Sequence, residues 1–114
     1  MKTKSAKAKG RSLSTKVQKL LLDASQIHHL ELTEGDFIVT SSGETGVDVK
    51  ISPRAHEYFP YSIECKKHAS FSVYKHYDQA VSNKQEGSIP ILVIEANRRK
   101  PLVILDAETF FRYL

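Results

Sequence analysis

Two carboxylates and a lysine stand at a spacing that suits phosphodiester chemistry: Asp48 in Gly46-Val47-Asp48, then Glu64 and Lys66 in Ile63-Glu64-Cys65-Lys66. Carboxylates on neighbouring strands can hold a magnesium ion, which prefers oxygen ligands and leaves positions for water and a substrate phosphate. Such an ion polarises the phosphodiester and acidifies its bound water, so hydrolysis can run near neutral pH. A lysine two residues after the second carboxylate leaves the strand on the same face. There it can orient the attacking water, help deprotonate it, or offset charge building on phosphorus. Gln79, on the helix that should follow, can hold a phosphate or a metal-bound water.

The acid-x-lysine tripeptide is weak on its own, because Asp48-Val49-Lys50 satisfies it too. The plain alternative is a salt-bridged, solvent-facing sheet surface. What favours a site is the context: a Gly-x-Asp strand upstream, alternation that gathers the polar groups, apolar residues on the reverse face, and a helix directly after. Val47 to Ile51 alternates with period two, which puts Asp48 and Lys50 on one face. Tyr61 to Lys67 alternates likewise: Tyr61, Ile63 and Cys65 point one way, and Ser62, Glu64 and Lys66 the other.

The remaining elements follow from the same kind of pattern. Leu13, Val17, Leu20 and Leu21 have the spacing of one helical face over Leu13 to Ala24, with Ser12 or Ser14 as its cap. Phe37-Ile38-Val39 reads as a short strand, and a turn at Gly43 to Gly46 follows it. Pro53 after Ser52 suits the capped first position of a helical turn reaching Tyr58. Val73, Tyr77, Ala80 and Val81 define a helix over 72–82. Ile91 to Ile94 is apolar throughout, as in a strand buried on both faces. Leu102 to Leu105 pairs with it through the basic turn Asn97 to Lys100, and Asp106 caps a terminal helix holding Phe110, Phe111 and Leu114. The fold class is therefore α/β, in the order α-β-β-β-α-β-β-α with no internal repeat.

The chain has 114 residues, 40% hydrophobic and 26% charged, which fits one compact domain and excludes a separate recognition domain. One cysteine, Cys65, excludes an internal disulfide and any four-thiolate metal site. The net charge of +4 is uneven: the first nineteen residues hold seven Lys/Arg and no acid. Residues 1–11 read as a flexible basic tail for a polyanion or for solubility, ahead of one domain over 12–114. No apolar run is long enough to cross a membrane and no secretory pattern precedes the domain, so the expectation is a cytoplasmic protein with no membrane partner.

The pattern of Asp48, then Glu64-x-Lys66, in this element order resembles the PD-(D/E)XK nuclease superfamily, and Gln79 stands where several of its members carry glutamine. The tail Lys4-Ser-Ala-Lys-Ala-Lys-Gly10-Arg11, the run Thr40-Ser-Ser-Gly43 with Gly46-x-Asp48-Val49, and Phe59-Pro-Tyr-Ser-Ile-Glu-Cys-Lys66 resemble small phage-encoded endonucleases related to archaeal-type Holliday-junction resolvases. The resemblance spans nearly the whole chain. It implies a restriction-endonuclease-like fold, a central mixed β-sheet flanked by helices. It also implies Asp48, Glu64 and the Cys65 backbone carbonyl as ligands of magnesium or manganese, Lys66 as the catalytic lysine, and Ser41 or Ser42 near the scissile phosphate. The implied activity is symmetric cleavage of four-way DNA junctions by a homodimer in an infected bacterial cell, without an organic cofactor. Alternatives within the same fold are a nuclease for flaps or nicks and a catalytically silent DNA-binding protein. Lys4, Lys7, Lys9, Arg11, Lys67, Lys75, Arg98 and Arg99 are the expected DNA contacts. One departure is that Ser14 stands where family members often carry a first-helix Glu or Gln ligand, and Gln18 is the nearest replacement. Another is that no proline precedes Asp48.

Other groupings are less informative. Cys65-x-x-His68 with His76 lacks a fourth ligand for zinc. Cys65 as a nucleophile is disfavoured by its place on the apolar face. His28 and His29 are adjacent, hence not on one helical face. Tyr74, beside Lys75 and Asp78, is the aromatic residue expected to be exposed. Arg98-Arg99-Lys100 is either a phosphate-contacting turn or a solvated hairpin end.

Overall fold

The structure is a computed structural model that describes residues 2–40 and 46–113, with side chains described from Arg11 onward in the first helix. Helix α1 spans Lys2–Ile27, followed by strands β1 (Phe37–Val39) and β2 (Val49–Ile51). A short helix α2 (Pro53–His56) leads into β3 (Tyr61–Lys67), and α3 (Val73–Asn83) returns the chain to β4 (Ile89–Glu95). Strand β5 (Leu102–Ile104) and helix α4 (Ala107–Arg112) complete it. These five strands form one mixed sheet in the order β1-β2-β3-β4-β5. Strands β3 and β4 are parallel, as a crossover through α3 requires, and the other neighbours are antiparallel. This is the restriction-endonuclease-like arrangement, a mixed sheet with helices on both faces.

Period-two alternation in β3 decides which layer each residue enters. Ile63 and Cys65 turn to α1 and form the main core with Leu13, Val17, Phe37, Val49, Ala55, Ile91 and Val93. Ser62, Glu64 and Lys66 turn to the α3 side, where Leu92, in register with Glu64, is fully buried. The central strand thus has apolar residues beneath it and its carboxylate above.

Three expectations need correction. Helix α1 runs back to Lys2, well before Leu13. Alanine and lysine are strong helix formers, and the apolar periodicity that marks a helix in sequence starts only where the helix first meets the core. Ser12 and Ser14 therefore lie inside the helix instead of capping it, and Ser14 is buried against the sheet. Leu20, assigned to the buried face, is 53% exposed. Strand β5 pairs with β4 as expected, but as an edge strand with Leu102 and Val103 facing outward.

Local caps match the reading from sequence. The Ser52 hydroxyl accepts the Ala55 N–H at 3.2 Å with Pro53 in the first turn of α2, and Asp106 accepts the Thr109 N–H at 2.7 Å at the start of α4. Next to β1, the Asp36 carboxylate accepts Arg54 Nε at 3.0 Å, Arg54 Nη2 at 2.9 Å, Ser52 Oγ at 2.6 Å and the Thr33 N–H at 2.8 Å. Arg54 also donates to the Glu31 carbonyl at 2.8 Å, so this clamp joins the entry to β1 with the β2–α2 corner. The two charged partners were not singled out in the sequence, because nothing in their spacing of 18 residues brings them together before the sheet forms.

Candidate active site

Strands β2 and β3 share one registered pair, Val49 with Ile63, and the Asp48 N–H donates to the Ile63 carbonyl at 2.9 Å. Past that point the strands part. The N–H of Cys65 bonds instead to a side chain, Asp48 Oδ2, at 2.7 Å. A buried backbone donor needs an acceptor, and here a carboxylate supplies it. The N–H and C=O of one strand residue point to the same side, so the Cys65 carbonyl also faces the opening in which Asp48 lies.

Continuing the register sets Asp48 opposite Glu64. Glu64 is 5% exposed, and its carboxyl lies within hydrogen-bonding reach of Asp48. Its Oε1 accepts the Asn83 side-chain amide at 3.1 Å, and Lys66 Nζ stands 3.8 Å from its Oε2. Burial pushes the Glu64 pKa well above the usual carboxylate range, to about 7, and the neighbouring Asp48 pushes the same way. The Asn83 amide and the Lys66 ammonium pull against them. Lys66 is about three-quarters buried along its side chain.

Glu64, buried beside the Asp48 carboxylate, is disfavoured in its charged form unless a cation joins it. All the donor atoms there are oxygens, which suits a hard divalent ion. Among the described residues no group of three His, Cys, Asp or Glu side chains is placed to hold a metal; Asp48 and Glu64 meet as a pair. The residues present fit a hard divalent cation at Asp48 and Glu64, with a backbone carbonyl beside them.

The other site expectations fare differently. Gln79 is exposed on α3, one turn before Asn83, and it is Asn83 that reaches Glu64. Asn83 was missed because it ends the helix and follows no motif; its signal was only the i+4 spacing from Gln79. Lys67 lies on the opposite face of β3 from Lys66 and pairs with Glu95 at 3.2 Å, and Lys16 of α1 pairs with the same buried carboxylate. Lys75, Arg98 and Arg99 are exposed, and Arg98 turns the β4–β5 connection with φ 60°. The side chains of Lys4, Lys7 and Lys9, and the whole of Ser41 and Ser42, lie outside the described residues. Arg11 lines a shallow groove with Gln18, Gly35 and Ile38.

Neither first-helix candidate takes a ligand's place in a simple way. Gln18 donates to the Phe37 carbonyl at 2.6 Å, which ties α1 to β1. Ser14 is hydrogen-bonded to Cys65 on the core side of β3. Burial pushes the Cys65 thiol up to about 12, so it stays protonated and inert, as its place on the apolar face implied. His68 and His76 stack with ring centroids 5.4 Å apart, on the α3 side of the sheet near Lys66, while Cys65 points away from them. That geometry gives no zinc site. Tyr74 is 85% exposed, as expected.

No curated protein and no solved structure matches the chain. The family model described as "Phage putative PDDEXK endonuclease" matches residues 5–113, which include every element of the sheet and the Asp48, Glu64 and Lys66 constellation, and the chain belongs to that nuclease family.

Proposed function

We propose that this protein is a metal-dependent, structure-selective DNA endonuclease that resolves four-way junctions as a homodimer. The observation that carries the reading is the meeting of the Asp48 and Glu64 carboxylates at the parting of β2 and β3, with Lys66 beside them. Asp48 and Glu64 would hold the magnesium or manganese ion, with the Cys65 carbonyl as a further oxygen. When bound, the ion supplies Lewis-acid stabilisation to the phosphodiester and acidifies its water. Asp48 keeps its carboxylate fixed through the Cys65 N–H. Glu64 is the deeper group and would serve a cation as its carboxylate. The Lys66 ammonium offsets charge on the phosphate oxygens and orients the attacking water. Gln79, exposed on the same helix as Asn83, is available to a phosphate.

Substrate choice rests on size and surface. Every described element builds or flanks the sheet, and in this reading recognition falls to phosphates and shape. Lys75, Arg98, Arg99 and the basic start of α1 are the proposed phosphate contacts. Symmetric cutting of two strands needs two sites, hence two chains about a twofold axis. Helix α4 has no buried residue, and Phe110, Phe111 and Tyr113 are each more than half exposed. Beside it runs an apolar groove of about 480 Å3 lined by Val17, Leu20, Leu21, Val103 and Phe110. This surface is the proposed dimer contact.

Cleavage of a synthetic four-way junction beside linear duplex, single strand and flap, with light scattering of the same sample, tests the reading. Paired symmetric cuts in the junction by a dimer are expected. A monomer that cuts junction and flap at equal rate would overturn the junction specificity and leave a general nuclease.

A further inference from the structure

We propose that Asn83 is a positioning residue of this site: its side-chain amide holds Oε1 of Glu64 so that the carboxylate meets a divalent cation already oriented. The proposal rests on the reading of Asp48 and Glu64 as the cation ligands. Its observation is the hydrogen bond from Asn83 Nδ2 to Glu64 Oε1 at 3.1 Å. Lys66 approaches the other oxygen, Oε2, so Asn83 is the amide donor that serves Oε1 of a carboxyl only 5% exposed.

The chain around Asn83 is built to hold that donor still. Asn83 is the last residue of α3, and the segment after it is tied to the strand that carries Glu64. The Gln85 N–H donates to Ser62 Oγ at 2.9 Å, Ser88 Oγ donates to the Gln85 carbonyl at 2.6 Å, and the Ser62 and Ser88 hydroxyls, both buried, are hydrogen-bonded to each other. Ser62 shares its face of β3 with Glu64, two residues along. Donor and acceptor are therefore fixed to one strand from both sides, which restricts the rotation of the Glu64 side chain.

The chemistry of the donor matters as well. A neutral amide supports a carboxylate without cancelling its charge, so the pair keeps its attraction for a cation. An ammonium or guanidinium at the same place would compete with the ion. Groups that orient a metal ligand from behind typically change metal affinity by about 10- to 100-fold when removed.

Titration of the full-length protein with Mn2+, followed calorimetrically, and melting in the presence of EDTA test this on four proteins: wild type, Asn83→Ala, Asn83→Gln and Glu64→Gln. The expected result is that Asn83→Ala melts close to wild type in EDTA but binds Mn2+ about tenfold or more weakly. Asn83→Gln, which keeps a carboxamide donor, recovers a large part of that affinity. Unchanged Mn2+ affinity in Asn83→Ala overturns the proposal, and so does a large drop in EDTA melting temperature that Asn83→Gln does not recover, since Asn83 would then act on the fold. Failure of the underlying ligand reading looks different: wild type would not bind Mn2+, or Glu64→Gln would bind it as wild type does.

Discussion

Asp48 Oδ2 accepts the backbone N–H of Cys65 at 2.7 Å, so one candidate ligand is pinned to the strand that carries the other. The bond exists because β2 and β3 stop pairing by backbone after Val49 and Ile63, which both opens the site and leaves the Cys65 donor to be satisfied. Asp48→Asn keeps an acceptor for that donor and removes the charge, whereas Asp48→Ala removes both. Denaturant unfolding should therefore find Asp48→Asn near wild type and Asp48→Ala less stable by about 1–3 kcal/mol, the cost of a buried backbone donor left without a partner. Both should abolish cleavage. Equal stability of the two variants would contradict the bond's role.

The raised pKa of Glu64 makes a signed prediction. Its folded value of about 7 lies above the ordinary 4.5, so between those pH values the folded protein binds more protons than the unfolded chain. Metal-free stability from this group is complete below about 4.5 and declines as pH rises through about 7. Glu64→Gln cannot ionise and should flatten that part of the stability profile measured in EDTA. Cation affinity of the wild type should rise over the same window, since binding must displace the proton.

The Asp36 carboxylate has the opposite sign. Hydrogen bonds from Arg54, Ser52 and Thr33 hold its pKa far below the usual carboxylate range. The stability it contributes is present above the unfolded pKa and disappears as pH falls through the folded value. Arg54→Ala should lower the melting temperature at neutral pH by several degrees and move acid unfolding to higher pH. Melting and acid titration by circular dichroism will detect both, and DNA cleavage by the surviving folded protein should persist.

The first residues of α1 carry Lys2, Lys4, Lys7, Lys9 and Arg11, while burial among the described side chains of that helix begins only at Leu13. Deleting 2–11 should therefore leave the domain folded and weaken DNA binding, chiefly at low salt. Removing one lysine–phosphate interaction reduces the slope of log affinity against log salt by about 0.9 on duplex DNA. Fluorescence anisotropy over a salt series measures the slope; an unchanged slope means this segment does not touch DNA.

Much of this architecture was legible in the chain because its signals are local. Alternation in Tyr61 to Lys67 marked both the bounds of β3 and its two faces, and Pro53 after Ser52 marked α2. The same alternation put Asp48 and Glu64 on one side of the sheet, which is why the two carboxylates could be grouped from sequence. What stayed hidden depends on register and end geometry. The bond from Asn83 needs the length of α3 and the Ser62–Ser88 tether, and neither carries a periodic mark. Lys67 resembled a DNA-binding residue because it follows Lys66, yet one residue in a strand reverses the face, and it meets Glu95 on the α1 side. The start of α1 was missed because the apolar period of that helix begins only at Leu13.

Cleavage, in the mechanism proposed, requires a divalent cation held by Asp48 and Glu64 together with the ammonium of Lys66. The most direct measurement is the single-turnover cleavage rate of a labelled four-way junction by wild type, Glu64→Gln and Lys66→Ala, each with Mg2+, with Mn2+ and with EDTA. Wild type should cleave with either ion and not at all in EDTA. Both variants should be slower by about 100-fold or more, with junction binding retained. Cleavage by wild type in EDTA, or by Glu64→Gln at the wild-type rate, would contradict the mechanism.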